Sequence, residues 1–365
     1  MKRYLFFLFL FVAATAIAQP PVERNSAVTN AVEEVPALKE VEVRETAPHQ
    51  TTKQSGNEFY ELHQQANSLP AQKNPTVQQQ RKMNDFVEKN RQEDASGFDY
   101  NLSVFMAGNY DLSKKEFLER AKVLQPKNQS ALLQSVGVSY ILNDQSTLLT
   151  DLKELTKQNV WNTDDFSYAK DVLTSIPANG ILITHGINDS YPIIHLQRIE
   201  KYRSDVRVIP MHLLQSSAFR QQLSNEDLSV PETNQVNAQY LKEFCTLNQR
   251  SAIYLSLTIP QAYFADIERQ LYPVGLTFRY SAVVFQNSEL NTKLWTSMNK
   301  GVIAKNKSQI GKQLSANYLP VLLNLYRYYK AENNVKLVGD VKNSIRQIGE
   351  NIGNTNLMSE LGVNE

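Results

Sequence analysis

The amino-acid sequence predicts an α/β fold: a small, mostly parallel sheet with helices on its faces, flanked by helical hairpins. Two observations carry this. Short apolar runs at 181–184, 206–211, 252–259 and 276–285 alternate with stretches of helical spacing. Paired helical segments, separated by turn residues, precede the first run and follow the last. Strands alternating with helices call for a sheet with at least a parallel core and right-handed crossovers.

The first residues set the context. Lys2 and Arg3 precede an apolar stretch from Tyr4 to Ala14, and Ala16-Ile17-Ala18 is a small-x-small site. This pattern reads as an export signal over 1–18, cleaved before Gln19, because the apolar run is too short to span a bilayer. The mature chain is expected to be soluble and exported, to the periplasm or beyond it. Residues 19–56 are rich in Pro, Glu, Thr and Val and poor in large apolar side chains. Such a segment cannot bury enough surface to fold alone and reads as a disordered linker. Residues 57–97 read as loosely helical, without a strong core face.

Charge excludes one class of partner. Lys and Arg number 38 against 37 Asp and Glu, with no basic stripe, so nucleic acid is not expected. No run after the signal is long enough for insertion in a membrane. Cys245 is the only cysteine, which rules out an intramolecular disulfide. It lies in a stretch of helical spacing and reads as a buried structural thiol.

From 98 to 176 the chain reads as helical. In "DLSKKEFLERAKVLQPKNQSALLQSVGVSYILND", Leu118, Ala121 and Leu124 share one face, and Leu132, Val136 and Tyr140 another. Pro126 ends the first helix. The segment resembles a tetratricopeptide hairpin. The α/β block is placed at 177–288 and a second helical hairpin, turning at Asn333-Asn334, at 289–350. Residues 351–365 read as a flexible tail.

The stretch "GILITHGINDSYPIIHLQRIEKYRSDVRVIPMHLL" holds the candidate site. Ligands in open α/β sheets collect where strand carboxyl ends meet helix amino ends. Thr184, His185, Gly186, Asn188, Asp189, Ser190 and Tyr191 occupy that corner, and His212 follows the second strand at the same edge. The corner also has an account without a ligand. Asp189 or Ser190 would cap the helix, Pro192 would sit in its first turn, and Gly186 would hold a positive φ. No nucleotide-binding glycine pattern is present. His185, His195 and His212 lack a carboxylate or thiol partner for zinc, so no metal is expected. No G-x-S-x-G elbow accompanies a serine, and no catalytic residue or cofactor is assigned. Asp164 and Asp165 read as capping residues at a helix start.

The same stretch resembles the soluble C-terminal region of bacterial membrane proteins related to a eukaryotic protein O-mannosyltransferase, which carry a glycosyltransferase-C-type membrane part. That region reads approximately as a strand, Gly-Asp-Asn-Asp-Thr-Phe-Pro, a helix and Arg-Pro-Asp-Val-Arg-Val. Gly186, Asn188, Asp189, Pro192 and Asp205-Val206-Arg207-Val208 match, with Ser190 for Thr and Tyr191 for Phe. "AIYLSLTI", "LYPVGLTFRYS" and the helices from Asn317 onward extend the likeness, which covers about 165–350. Ile187 replaces the first loop acid, and the membrane part that would carry glycosyl transfer is missing. The resemblance therefore implies a fold and an accessory role.

The sequence supports two functions. One is a non-catalytic interaction protein of the cell envelope, binding a protein or peptide, such as a member of a membrane-bound complex, through its helical hairpins. The other is a glycan-related enzyme or carbohydrate-binding accessory protein using the His185–Tyr191 loop.

Overall fold

A computed structural model of the protein describes residues 54–67, 73–304 and 308–363. The segments read as an export signal and, as far as residue 53, as a linker lie outside the described residues. Helix α1 spans Gln54–Asn67 and α2 spans Val77–Asp94. Residues 54–56, read as linker, already belong to α1. Thr76 starts α2 through a capping box: its Oγ1 accepts from the Gln79 amide while Gln79 Oε1 accepts from the Thr76 amide. The core face of this segment is firmer than its composition suggests, since Phe59, Ala66 and Met83 are buried. Each helix supplies only one or two buried apolar residues, which a Gln-rich sequence conceals.

Four helices follow: α3 (Phe98–Ala107), α4 (Lys115–Leu124), α5 (Gln129–Ile141) and α6 (Gln145–Lys157). The hairpins are offset by one helix from the sequence reading. α3 packs about equally on α2 and α4, and α5 packs chiefly on α6, so the α4–α5 turn joins two packed units. Asn128 caps α5 by accepting from the Ser130 and Ala131 amides. Residues 131–139 of α5 are all buried, so their spacing could not reveal which neighbour was the partner.

α7 (Thr163–Thr174) begins at Asn162, whose amide donates to Asp165 Oδ2 at 2.7 Å in a second capping box. Asp164 has another role. Its Oδ2 accepts from the Ser308 amide and hydroxyl, tying α7 to the C-terminal helices.

The sheet has the order β2-β1-β3-β5-β4. Strands β1 (Ile181–Thr184), β2 (Arg207–Pro210) and β3 (Ile253–Ser256) form the parallel core, with Ile181 opposite both Arg207 and Ile253. β1 is buried along its whole length, as an apolar run with no alternation requires. Helix α8 (Gly186–Arg198) links β1 to β2, and α9 (Ser217–Asn225) with α10 (Ala238–Leu247) links β2 to β3. The chain leaves β1 toward β2 on one side and leaves β3 toward β4 and β5 on the other, which makes the carboxyl ends of β1 and β3 the switch point of the sheet.

The remaining strands are antiparallel. β4 (Leu271–Val274) turns at Gly275-Leu276 into β5 (Thr277–Tyr280), with Val274 opposite Thr277. The sequence reading placed one strand over 276–285 and a helix over 262–271. Short 3-10 turns occupy 261–264 and 268–270 instead. Gly275, at φ +53, makes the tight reversal that divides the apolar run.

Helices α11 (Ser288–Ser297), α12 (Gln309–Ser315), α13 (Leu319–Ala331) and α14 (Val335–Ile352) complete the chain with the short α15 (Leu357–Glu360). α13 and α14 pack as the expected hairpin. Asn333 takes a left-handed φ of +56, and Asn334 caps α14 through the Leu337 amide. The tail is not free from 351: Leu357 and Val363 are buried. Buried apolar residues from Phe59 to Val363 form one cluster. Among the described residues no helix is long and apolar enough to cross a membrane.

Candidate functional site at the strand carboxyl edge

β1 ends at Thr184. His185 stays extended, Gly186 takes φ +76, and α8 begins there. The helix therefore starts before Asp189 and Ser190, and neither is its N-cap. Pro192 lies inside α8 and not in its first turn. It has no N–H for the carbonyl of Asn188, which stands on the solvent side.

Asp189 serves the helix end from within the first turn. Its Oδ2 accepts from the His185 amide at 2.8 Å and its Oδ1 from Ser256 Oγ at 3.1 Å, joining the carboxyl ends of β1 and β3. Ser256 Oγ also lies 2.9 Å from Thr258 Oγ1. Burial raises the Asp189 pKa; the bonds from His185, Thr258 and Ser256 and the charge of Lys73 partly oppose this. Ser190 faces inward: its Oγ lies 2.7 Å from Thr184 Oγ1 and donates to the Gly186 carbonyl at 2.6 Å. Thr184 and Ser190 are fully buried.

Tyr191 is fully buried too, and it points at the helical hairpins. Its hydroxyl donates to the Leu133 carbonyl on α5 at 3.2 Å, and its ring meets Trp161 edge-on at 6.3 Å. His212 Nε2 lies 3.4 Å from the same hydroxyl. Burial lowers the His212 pKa to about 3, and the Lys73 charge acts in the same direction. His185 stands against Tyr263, and His195 against Phe166 at 4.8 Å. Among the described residues no three His, Cys, Asp or Glu side chains are grouped to hold a metal. Cys245 is buried in α10, and burial pushes its thiol pKa up.

The candidate residues thus separate into two groups. Thr184, His185, Gly186, Asp189 and Ser190 form the corner with Ser256 and Thr258. Tyr191 and His212 belong to an aromatic contact between the sheet and the hairpins, with Tyr110 and Trp161. Asn188 joins neither: it is exposed, and its side chain makes no hydrogen bond among the described residues. Sequence reasoning missed Ser256 and Thr258, although two hydroxyls directly after an apolar strand mark the same sheet edge. It also missed Lys73, whose charge acts on Asp189 and His212 and for which the sequence carries no signal.

A concavity of about 330 Å3 lies on the hairpins, lined by residues of α6, of the α4–α5 turn and by Leu132 of α5. Lys127, Lys153 and Lys157 stand on its wall with Leu132, Asp151 and Glu154. Asp151 is already paired with Lys122 at 2.7 Å. Glu154 lies 3.8 Å from Lys157. Lysines therefore outnumber unpaired carboxylates on the wall.

No curated protein and no solved structure matches the chain. Residues 165–336, running from α7 through the sheet to the start of α14, match the family model described as TMEM260-associated domain 2, a family tied to TMEM260, itself related to the protein O-mannosyltransferases.

Proposed function

We propose that the protein is an exported, non-catalytic interaction module of the bacterial cell envelope, which holds a protein or peptide partner on its helical hairpins. The observation that carries this reading is a contrast between the sheet edge and the groove on the hairpins. At the sheet edge, the side chains of Thr184, Asp189, Ser190 and Tyr191 are spent on the fold's own backbone and hydroxyls. On the hairpins, an open groove presents lysines with few carboxylate partners. Such a wall suits an acidic segment of a protein, whose carboxylates would meet Lys127, Lys153 and Lys157. In this reading the 165–336 region corresponds to the soluble part of bacterial membrane proteins related to O-mannosyltransferases, acting here as scaffold.

The test is a pull-down from envelope extract, with the mature protein as bait and a triple variant Lys127→Glu/Lys153→Glu/Lys157→Glu beside it. A protein retained by the first bait and lost on the second, with both baits equally folded, supports the reading. Equal retention would sink it.

A second reading rests on Asn188, whose exposed amide is unspent, and on the family's tie to glycosyl-transfer proteins. It makes the His185–Tyr191 loop a glycan contact. Its sign would be a sugar-induced thermal shift abolished by Asn188→Ala.

A further inference from the structure

The antiparallel side of the sheet carries an arginine that no carboxylate meets. Arg279 of β5 stands opposite Tyr254 of β3 on one side and Tyr272 of β4 on the other, so the three side chains share one face. Arg279 and Tyr272 are half-buried. The chain then returns over this row. The Arg279 guanidinium lies over the Phe285 ring, 3.9 Å from its centroid, and the same ring meets Tyr272 edge-on at 6.1 Å. Arginines at β2 have acceptors: Arg203 is paired with Asp205 at 2.8 Å, and Arg207 donates to the Glu226 carbonyl at 2.9 Å. Arg279 has no ion pair among the described residues, and its Nε is buried without a hydrogen-bond partner. A donor on a charged group is costly to leave unmade. Directly before Phe285, Val283 and Val284 are 74 % and 57 % exposed.

We propose that Arg279, framed by Tyr272 and Phe285, is a carboxylate-binding site, and that its ligand is the C-terminal carboxylate of a partner polypeptide ending in an apolar residue, whose side chain rests on Val283 and Val284.

Charge and shape select this ligand. A guanidinium is always charged, and its planar fork matches the two oxygens of a carboxylate. Stacking on Phe285 fixes the plane of the fork before a ligand arrives. A carboxylate set against Nε and the adjacent Nη would satisfy the buried donor. The site favours a monoanion. Among the described residues no second cation contacts Arg279, so a phosphate dianion would keep an uncompensated charge beside two valines. The valines in turn favour a ligand with an apolar body over a free ion, since exposed apolar groups beside a charged anchor suit a protein contact. The patch does not include the groove on the hairpins, and the inference does not rest on the role proposed for that groove.

The experiment is a titration of the full chain followed by NMR, through the Arg279 Nε–Hε resonance and the backbone amides of Val283 and Val284. The probes are acetyl-valyl-leucine, its C-terminal amide and phenyl phosphate. The free acid should shift all three signals saturably. The amide, which lacks the charge, should bind about tenfold more weakly or worse. Phenyl phosphate should also bind more weakly than the acid. Arg279→Lys keeps the charge and loses the fork, and should weaken the acid about tenfold, read from the two valine amides. Equal binding of acid and amide, tighter binding of phenyl phosphate, or no shift with the acid would overturn the proposal. So would undiminished binding to a folded Arg279→Lys chain. The comparison of acid with amide uses the parent chain alone, so it decides the matter should the variant fail to fold.

Discussion

Asp189 Oδ2 lies 2.8 Å from the backbone nitrogen of His185, four residues earlier and at the very start of α8. One carboxylate thereby satisfies a helix-end donor and, through Ser256, fastens the switch point. Asp189→Ala should cost about 1–3 kcal/mol, because a partly buried amide and a hydroxyl lose their acceptor. Urea unfolding checks this. Asn188→Ala, on the exposed neighbour, should leave the midpoint unchanged.

Packing at Gly137 gives the opposite sign to helix propensity. Alanine in a helix interior is favoured over glycine by about 1 kcal/mol. A methyl at 137, however, would stand 2.5 Å from Tyr110 Cε1, 2.9 Å from the Tyr191 hydroxyl and 3.1 Å from Leu213 Cδ2. Overpacking at such a junction costs about 1–3 kcal/mol, so Gly137→Ala should destabilise on balance. Gly339→Ala in α14 meets nothing within 4 Å and should stabilise by about 0.5–1 kcal/mol. Thermal melts of the two variants should move in opposite directions.

Asp171, buried in α7, accepts from the Asn299 amide at 2.7 Å, the Lys300 amide at 2.8 Å and the Tyr318 hydroxyl at 2.6 Å. Lys300 holds a left-handed φ of +57 there. Asp171→Ala would orphan all three donors, and a loss of about 3 kcal/mol or more is expected. Asp171→Asn, which keeps one acceptor oxygen, should fall between the two.

Acid should weaken the fold through its buried histidines. Burial lowers His212 to about 3 and His63 to about 4. Below the ordinary value near 6.5, the unfolded chain takes up protons that the folded chain refuses. Stability is therefore full above that value and falls as the pH drops toward 4 and then 3. Asp189 works the other way: its raised pKa contributes stability in acid that is lost as the pH rises through the folded value. Between about pH 5 and 6.5 the histidines set the sign, since their window extends upward to their ordinary value. The urea midpoint should fall between those limits, and His212→Gln should flatten the slope.

The fold was legible where apolar runs stand alone. β1, β2 and β3 are short buried strands between polar turns, and each was placed within a few residues. The β4–β5 hairpin was not, because Gly275 divides one apolar run and Pro273 argues against a strand. The hairpin order was misread because α5 is buried on all sides and shows no preferred face. At the corner, Gly186 carried its positive φ into the sequence. The inward turn of Asp189 and Ser190 depends on Ser256 and on the buried strand end, which lie far away in sequence or inside the core. Lys73 was illegible for the same reason: its amide donates to the Val236 carbonyl, far along the chain.

The central claim is that partners meet the hairpin groove and not the strand corner. Site-specific photo-crosslinking compares the two places directly, with benzoylphenylalanine at Thr150 on the groove wall and at Asn188 in the loop. In envelope extract, the expected result is one discrete protein adduct at Thr150, absent once Lys127, Lys153 and Lys157 are replaced by Glu, and none at Asn188. An adduct at Asn188, or one at Thr150 that survives the charge reversal, would contradict the account.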